Sequence, residues 1–163
     1  MNKENNLNFK EHSKYMQMKV LFIDRDGTIN KDCPYCHILS DLAMYDDAVE
    51  IMKEHGKNGF TIIIITNQSG IGRGYFSEKE FHTFHNAILN VLEKKGVYIE
   101  RTYYCPHRPE DNCDCRKPKT GMINQAMKDY NIDLRNSIII GDRDDMEGAM
   151  ARSLGMKYKI LKR

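Results

Sequence analysis

Val20-Leu21-Phe22-Ile23-Asp24-Arg25-Asp26-Gly27-Thr28 decides the fold of this chain. Four apolar residues in succession, without polar alternation, suit a strand covered on both faces, as in a parallel sheet between helices. The run stops abruptly at an acid. Thr61-Ile62-Ile63-Ile64-Ile65-Thr66 and Ser137-Ile138-Ile139-Ile140-Gly141-Asp142 repeat the arrangement, and residues 102–104 and 158–161 are weaker strand candidates. Helical patterns lie between them, over residues 46 to about 57, 77–95, 121–130 and 146–154. The second opens with a capping box, Ser77 and Glu80, stops at Gly96, and carries Phe81, Phe84, Ile88, Leu89 and Leu92 on one face. Strands alternating with helices predict an α/β fold, a Rossmann-like doubly wound parallel sheet. Ligands gather at the carboxyl ends of such strands, and those ends carry Asp24, Thr66 and Asp142.

The 163 residues are 40% hydrophobic and 29% charged, with a net charge of +2, which suits one globular domain. A charge so near balance does not suggest nucleic acid or an anionic membrane as partner. Ile62-Ile63-Ile64-Ile65 is too short to span a bilayer, and the amino end has no apolar segment of signal-peptide type. Residues 1–18 are expected to form a polar, flexible extension, with the folded domain over 19–163. A monomer in the cytoplasm is expected, where the five cysteines stay reduced and serve metals or chemistry.

In Asp24-Arg25-Asp26-Gly27-Thr28, two carboxylates two residues apart on extended backbone can face one reaction centre. Their repulsion is relieved by a cation, and Mg²⁺, held by one or two carboxylates plus substrate phosphate, fits. Asp142 can supply a further ligand. A second metal is expected in the loop Cys105-Pro106-His107-Arg108-Pro109-Glu110-Asp111-Asn112-Cys113-Asp114-Cys115. Cys105, His107, Cys113 and Cys115 make a closed Cys₃His set for Zn²⁺, which leaves no position for a reactive water and so points to a structural role. Arg116-Lys117-Pro118-Lys119 follows at once and reads as a phosphate clamp, with Lys117 favoured over Lys119.

In that order, from residue 20 to about 160, these motifs resemble those of the haloacid dehalogenase superfamily of phosphohydrolases. The resemblance implies that Asp24 is a nucleophile forming an aspartyl-phosphate, and that Asp26 protonates the leaving oxygen and then activates water. It also implies that Thr66 and Lys117 stabilise the transferred phosphoryl group, and that Asp24, the carbonyl of Asp26 and Asp142 hold Mg²⁺. The intervals between motifs leave no room for a cap domain. The last motif of the family usually reads G-D-x-x-x-D; here Asp144 and Asp145 fall short of that spacing, so which of them supports the metal shell stays open.

The zinc loop resembles two branches of the family, D-glycero-D-manno-heptose 1,7-bisphosphate 7-phosphatases and histidinol-phosphatases. Thr66-Asn67-Gln68-Ser69-Gly70 and Lys117-Pro118-Lys119-Thr120-Gly121-Met122 resemble the heptose branch, with histidinol phosphate as the alternative substrate. A sugar bisphosphate would then meet Asn67, Gln68, Ser69 and Arg116, and also Asp32 and Tyr35 of the segment from Asn30 to His37, where Pro34 replaces the usual glycine. That segment contains Cys33-Pro34-Tyr35-Cys36, the pattern of a glutaredoxin. No helix is predicted to start at Pro34, so a thiol–disulfide function is set aside and the two cysteines are expected to be bystanders.

Overall fold

A computed structural model describes residues 17–163. The extension expected over 1–18 lies outside the described residues up to position 16. Met18 already pairs with Ile132 and bonds to the main chain of Asn131 and Asp133.

Five strands form one parallel sheet: β1 (Val20–Ile23), β2 (Thr61–Asn67), β3 (Arg101–Cys105), β4 (Ile138–Gly141) and β5 (Lys157–Ile160), in the order β3-β2-β1-β4-β5. The central strand β1 is wholly buried, and its Phe22 stands between Ile63 and Ile139. The helices are α1 (Asp46–Lys57), the single turn α2 (Ser69–Gly72), α3 (Glu78–Lys94), α4 (Gly121–Asp129) and α5 (Ala149–Leu154). Because side chains alternate along a strand, β1 feeds two cores. Leu21 and Ile23 pack with Val49 and Met52 of α1 and with Phe84, Ile88 and Leu92 of α3. Val20 and Phe22 pack with Met122, Ile123 and Ala126 of α4 and with Met150 and Ala151 of α5. Truncating Phe22 would cost about 3–5 kcal/mol, since it would open a cavity in the second core.

The capping box at α3 forms as the sequence predicts: the Ser77 side chain accepts from the Glu80 amide, and Glu80 bonds back to Ser77. The helix expected over 146–154 begins differently. Asp144–Gly148 is a π-helical turn, and regular α-helix starts only at Ala149. No cap interrupts the layers: a short 3₁₀ turn (Leu39–Asp41) and α1 join β1 to β2, and α2 and α3 join β2 to β3. Connections leave β1 towards β2 on one side, while β4 lies on the other. The carboxyl ends of β1 and β4 therefore flank the topological switch point, where an open α/β sheet leaves a crevice.

Candidate active site

Asp24 leaves β1 with its amide still bonded to Ile140 of β4, so the acid is fixed at that crevice. The chain then turns tightly: the Arg25 carbonyl accepts from Thr28, Ile29 and Asn30, and Gly27 donates to Asn30. Gly27 has φ +84°, and a Cβ there would fall 2.5 Å from Asp142 Oδ2. Only glycine lets the turn approach the carboxylate at the end of β4 so closely. The Thr28 hydroxyl lies between the two acids, 3.4 Å from Asp24 Oδ2 and 3.3 Å from Asp142 Oδ1.

Lys117 enters from the zinc loop. Its Nζ donates to Asp24 Oδ1 at 2.5 Å, to Glu147 Oε1 at 2.5 Å and to the Ile65 carbonyl at 3.2 Å. All three charged side chains are buried. Burial pushes the Asp24 carboxyl up to about 7, against the downward pull of Lys117 and with a further rise from Glu147. Burial also works against the Lys117 ammonium, but Asp24 and Glu147 outweigh it and the lysine is held in its charged form. Asp142 is raised as well, by burial and then by Glu147. Three carboxylates around one ammonium leave negative charge to balance. Asp24 and Asp142, with the Asp26 carbonyl, offer only hard oxygen donors, a set that fits Mg²⁺.

Glu147 is the residue that motif spacing missed. It stands five residues after Asp142, and the π-helical turn absorbs the extra position and carries the side chain back under the strand ends. A Cβ on Gly141 would come within 2.3 Å of Glu147 Cγ, so glycine is needed there for the carboxylate to pass. Neither acid left open as metal support reaches the site. Asp144 pairs with Arg152 and Asp145 with Arg143, all exposed.

The other residues singled out in the sequence divide by what they touch. Thr66, buried at the end of β2, accepts from Gln68 Nε2 at 2.9 Å, and the same nitrogen donates to Asp26 Oδ2 at 2.8 Å. Asp26 Oδ1 accepts from Asn30 at 2.9 Å, and Arg25 forks onto both Asp26 oxygens. Asn67 grips the backbone of Lys117, accepting from its amide at 3.0 Å and donating to its carbonyl at 3.2 Å. Lys119, the rival lysine, turns away and donates to the Cys113 and Asn112 carbonyls. Arg116 lines a cleft of about 280 Å³ together with Lys117 and Met146. Tyr35, exposed and at φ +54°, meets Tyr75 edge-on at 4.6 Å, and His37 stacks on Phe76. Asp32 is exposed, and its carboxyl is raised by partial desolvation and by Asp26. Ser69 begins α2, and its carbonyl accepts from Arg73.

A further tie was not visible in the sequence. Arg163 Nη2 donates to the Thr28 carbonyl at 2.9 Å and Nε to that of Gly27 at 3.4 Å. Its guanidinium lies 3.8 Å from the Tyr45 ring centre and is paired with Asp47 at 2.6 Å.

Around the second expected metal, the ligand atoms of Cys105, His107, Cys113 and Cys115 all lie within 4.8 Å of one another. The sulphur–sulphur separations are 2.9, 3.5 and 3.5 Å, and His107 Nδ1 is 3.2 Å from Cys115 and 3.6 Å from Cys105. Zn–S bonds of about 2.3 Å in a tetrahedron place sulphurs about 3.8 Å apart; these atoms are gathered more tightly than that, and their Cys₃His chemistry suits Zn²⁺. The expectation that all five cysteines stay reduced is not met at Cys33 and Cys36, whose sulphurs are joined, with Cα atoms 5.3 Å apart.

Comparison with known proteins agrees with this geometry. A profile of the family described as polynucleotide kinase 3 phosphatase matches residues 19–157. A probable D-glycero-D-manno-heptose-1,7-bisphosphate 7-phosphatase of Thermoplasma acidophilum is 54% identical over 88% of this chain and 90% of its own. Its counterpart of the same name in Thermoplasma volcanium is 52% identical over 89% and 99%. Among solved structures, a D,D-heptose 1.7-bisphosphate phosphatase from B. bronchiseptica, complexed with magnesium and phosphate, superposes with a TM-score of 0.80. It is 27% identical and covers 88% of this chain and 80% of its own.

Proposed function

The chain belongs to the D-glycero-D-manno-heptose-1,7-bisphosphate 7-phosphatase family of haloacid dehalogenase-like phosphatases, and from that premise we propose that it removes the C7 phosphate of such a bisphosphate to leave heptose 1-phosphate. The observation that carries the reading is Lys117 held between Asp24 and Glu147 at the ends of β1 and β4. A fixed cation beside a nucleophilic carboxylate is what a transferring phosphoryl group requires.

In this reading Asp24 attacks phosphorus and becomes an aspartyl-phosphate. Asp26 gives a proton to the departing C7 oxygen and later takes one from the water that hydrolyses the intermediate. Lys117 and the Thr66 hydroxyl hold the phosphoryl oxygens, and Glu147 with Asn67 fixes the head and the backbone of Lys117. Arg116 at the mouth receives the second phosphate as a planar fork, and Asp32, Tyr35 and Ser69 line the sugar side. Mg²⁺ held by Asp24, the Asp26 carbonyl and Asp142 would supply positive charge against the phosphoryl oxygens. Zn²⁺ in the Cys₃His cage would keep the loop that delivers Lys117 in shape. A cytoplasmic monomer fits the same reading. No described helix is long and apolar enough to cross a membrane.

Phosphate release is the test. The panel contains both anomers of heptose 1,7-bisphosphate, histidinol phosphate and a 3′-phosphorylated oligonucleotide. The highest kcat/KM is expected for one of the heptose anomers. Preference for histidinol phosphate or the oligonucleotide would overturn the substrate, and undiminished turnover by Asp24→Asn would overturn the covalent scheme.

A further inference from the structure

We propose that Arg25 is a positioning residue for the proton-donating step, a role that rests on the assignment of Asp26 above. Arg25 is wholly buried, although it stands between two acids in a turn. Burying a guanidinium is costly unless partners surround it. Here its central carbon lies 5.2 Å from the Phe81 ring centre and 5.3 Å from that of Phe84, both on α3. Its Nε and Nη2 fork onto Asp26 Oδ1 and Oδ2 at 3.0 and 2.8 Å, and Nη2 also reaches the Cys36 carbonyl at 3.4 Å. The arginine is thus clamped by core aromatics and holds the plane of a carboxylate that reaches the crevice.

Asp26 meets four N–H contacts. Arg25 Nε and Asn30 Nδ2 lie on Oδ1, and Arg25 Nη2 and Gln68 Nε2 lie on Oδ2. A carboxylate has about four lone-pair directions, so every one is filled. To donate a proton, one oxygen must give up a contact. The Gln68 amide is neutral and is also engaged by Thr66 at 2.9 Å, whereas the charged fork of Arg25 is roughly twice as strong. Gln68 therefore yields on Oδ2, and Arg25 keeps that oxygen aimed at the substrate. In the step itself an Asp24 oxygen bonds to phosphorus as the bond from phosphorus to the C7 oxygen breaks. The bonding pair passes to that oxygen, which takes the Asp26 proton. Misorientation of Asp26 should harm this step in proportion to how much the leaving oxygen needs the proton.

Arg25→Lys keeps the charge and removes the fork. The test compares kcat/KM for heptose 1,7-bisphosphate, whose C7 oxygen needs a proton to leave as an alcohol, with that for p-nitrophenyl phosphate, whose phenolate leaves unprotonated. Because kcat/KM reports only events up to formation of the phospho-enzyme, later hydrolysis does not enter. The ratio of the two values is also independent of the fraction of folded protein. A loss of about 100-fold on the sugar and about threefold or less on the aryl ester is expected, since general acids contribute about 10²–10⁴-fold. Arg25→Met should show the same skew. Equal losses on both substrates, or no loss, would overturn the proposal. Asp26→Asn, measured alongside, separates the two levels. If it too loses both activities equally, the assignment of Asp26 falls and takes the proposal with it. If Asp26→Asn shows the skew and Arg25→Lys does not, only the role of Arg25 is lost.

Discussion

Glu147 Oε1 accepts a hydrogen bond from Lys117 Nζ at 2.5 Å, across 30 residues of sequence and with both side chains buried. The pair joins the zinc loop to the far side of the crevice. It holds the ammonium in place while the same nitrogen also bonds to Asp24 Oδ1.

Glu147→Gln should lower kcat by about 100-fold, the scale on which single transition-state contacts act. It should also cost about 3–5 kcal/mol of stability, because a buried ammonium loses half of its compensation. Asp144→Asn and Asp145→Asn, whose partners are exposed arginines, should stay within about 0.5 kcal/mol and keep their turnover. Steady-state kinetics and urea unfolding on the three variants decide the matter. Equal effects from Asp145→Asn would remove Glu147 from its place.

The zinc cage makes a separate claim. Metal analysis should find about one zinc per chain, since structural sites bind tightly enough to survive purification. Chelation should lower both the unfolding temperature and kcat, because Lys117 follows Cys115 by two residues. Zinc, and not magnesium alone, should restore them. Full activity in zinc-free protein would refute the structural role.

His85 sets an acid limit on stability. Burial, followed by repulsion from Arg25, holds its imidazole down to about 4 from an ordinary 6.5. The folded protein therefore keeps His85 neutral where the unfolded chain binds a proton. Its contribution is complete above pH 6.5 and falls by about 1.4 kcal/mol per unit as the pH drops towards 4. Urea unfolding at pH 7 and pH 5 should show that slope in the native chain and a flatter one in His85→Phe. The same slope in both would assign it to other groups.

Arg163 ties the carboxyl-terminal segment to the Asp24–Thr28 turn. Arg163→Met should lower kcat by about tenfold and stability by about 1.5–3 kcal/mol, the range for hydrogen bonds from a charged donor. Loosening of Thr28 should also raise the magnesium concentration needed for half-maximal rate. A variant with unchanged magnesium dependence and turnover would show that the turn holds without this clamp.

Much of this architecture could be read from local patterns. The three apolar runs ending at Asp24, Thr66 and Asp142 became β1, β2 and β4, because a strand covered on both sides has no polar position to spare. The capping box at Ser77 and Glu80 marked where α3 begins, since its signal lies within four residues. The close spacing of Cys105, His107, Cys113 and Cys115 likewise contains its own geometry. What escaped depended on distant or irregular contacts. Glu147 lies outside a fixed-interval motif because a π-helical turn changes the count. Arg25, flanked by acids, reads as a solvated charge until Phe81 and Phe84 close over it. His85 was accessible in principle: it lies four residues after Phe81, within the buried stripe of α3. Arg163 acts across 135 residues, and nothing near it in the chain announces a partner.

The widened turn at Asp144–Gly148 has an evolutionary corollary. A codon gained beside an essential acid would ordinarily swing everything downstream by about 100° around the helix, since each residue adds that rotation. Here an acid five residues after Asp142, and not four, still reaches Lys117, because the turn takes up the difference within one loop of backbone. Lineages carrying such a bulge could thus drift in length at this corner without losing their chemistry. Searches for kin should then ask where an acid ends up in space, not how many letters precede it.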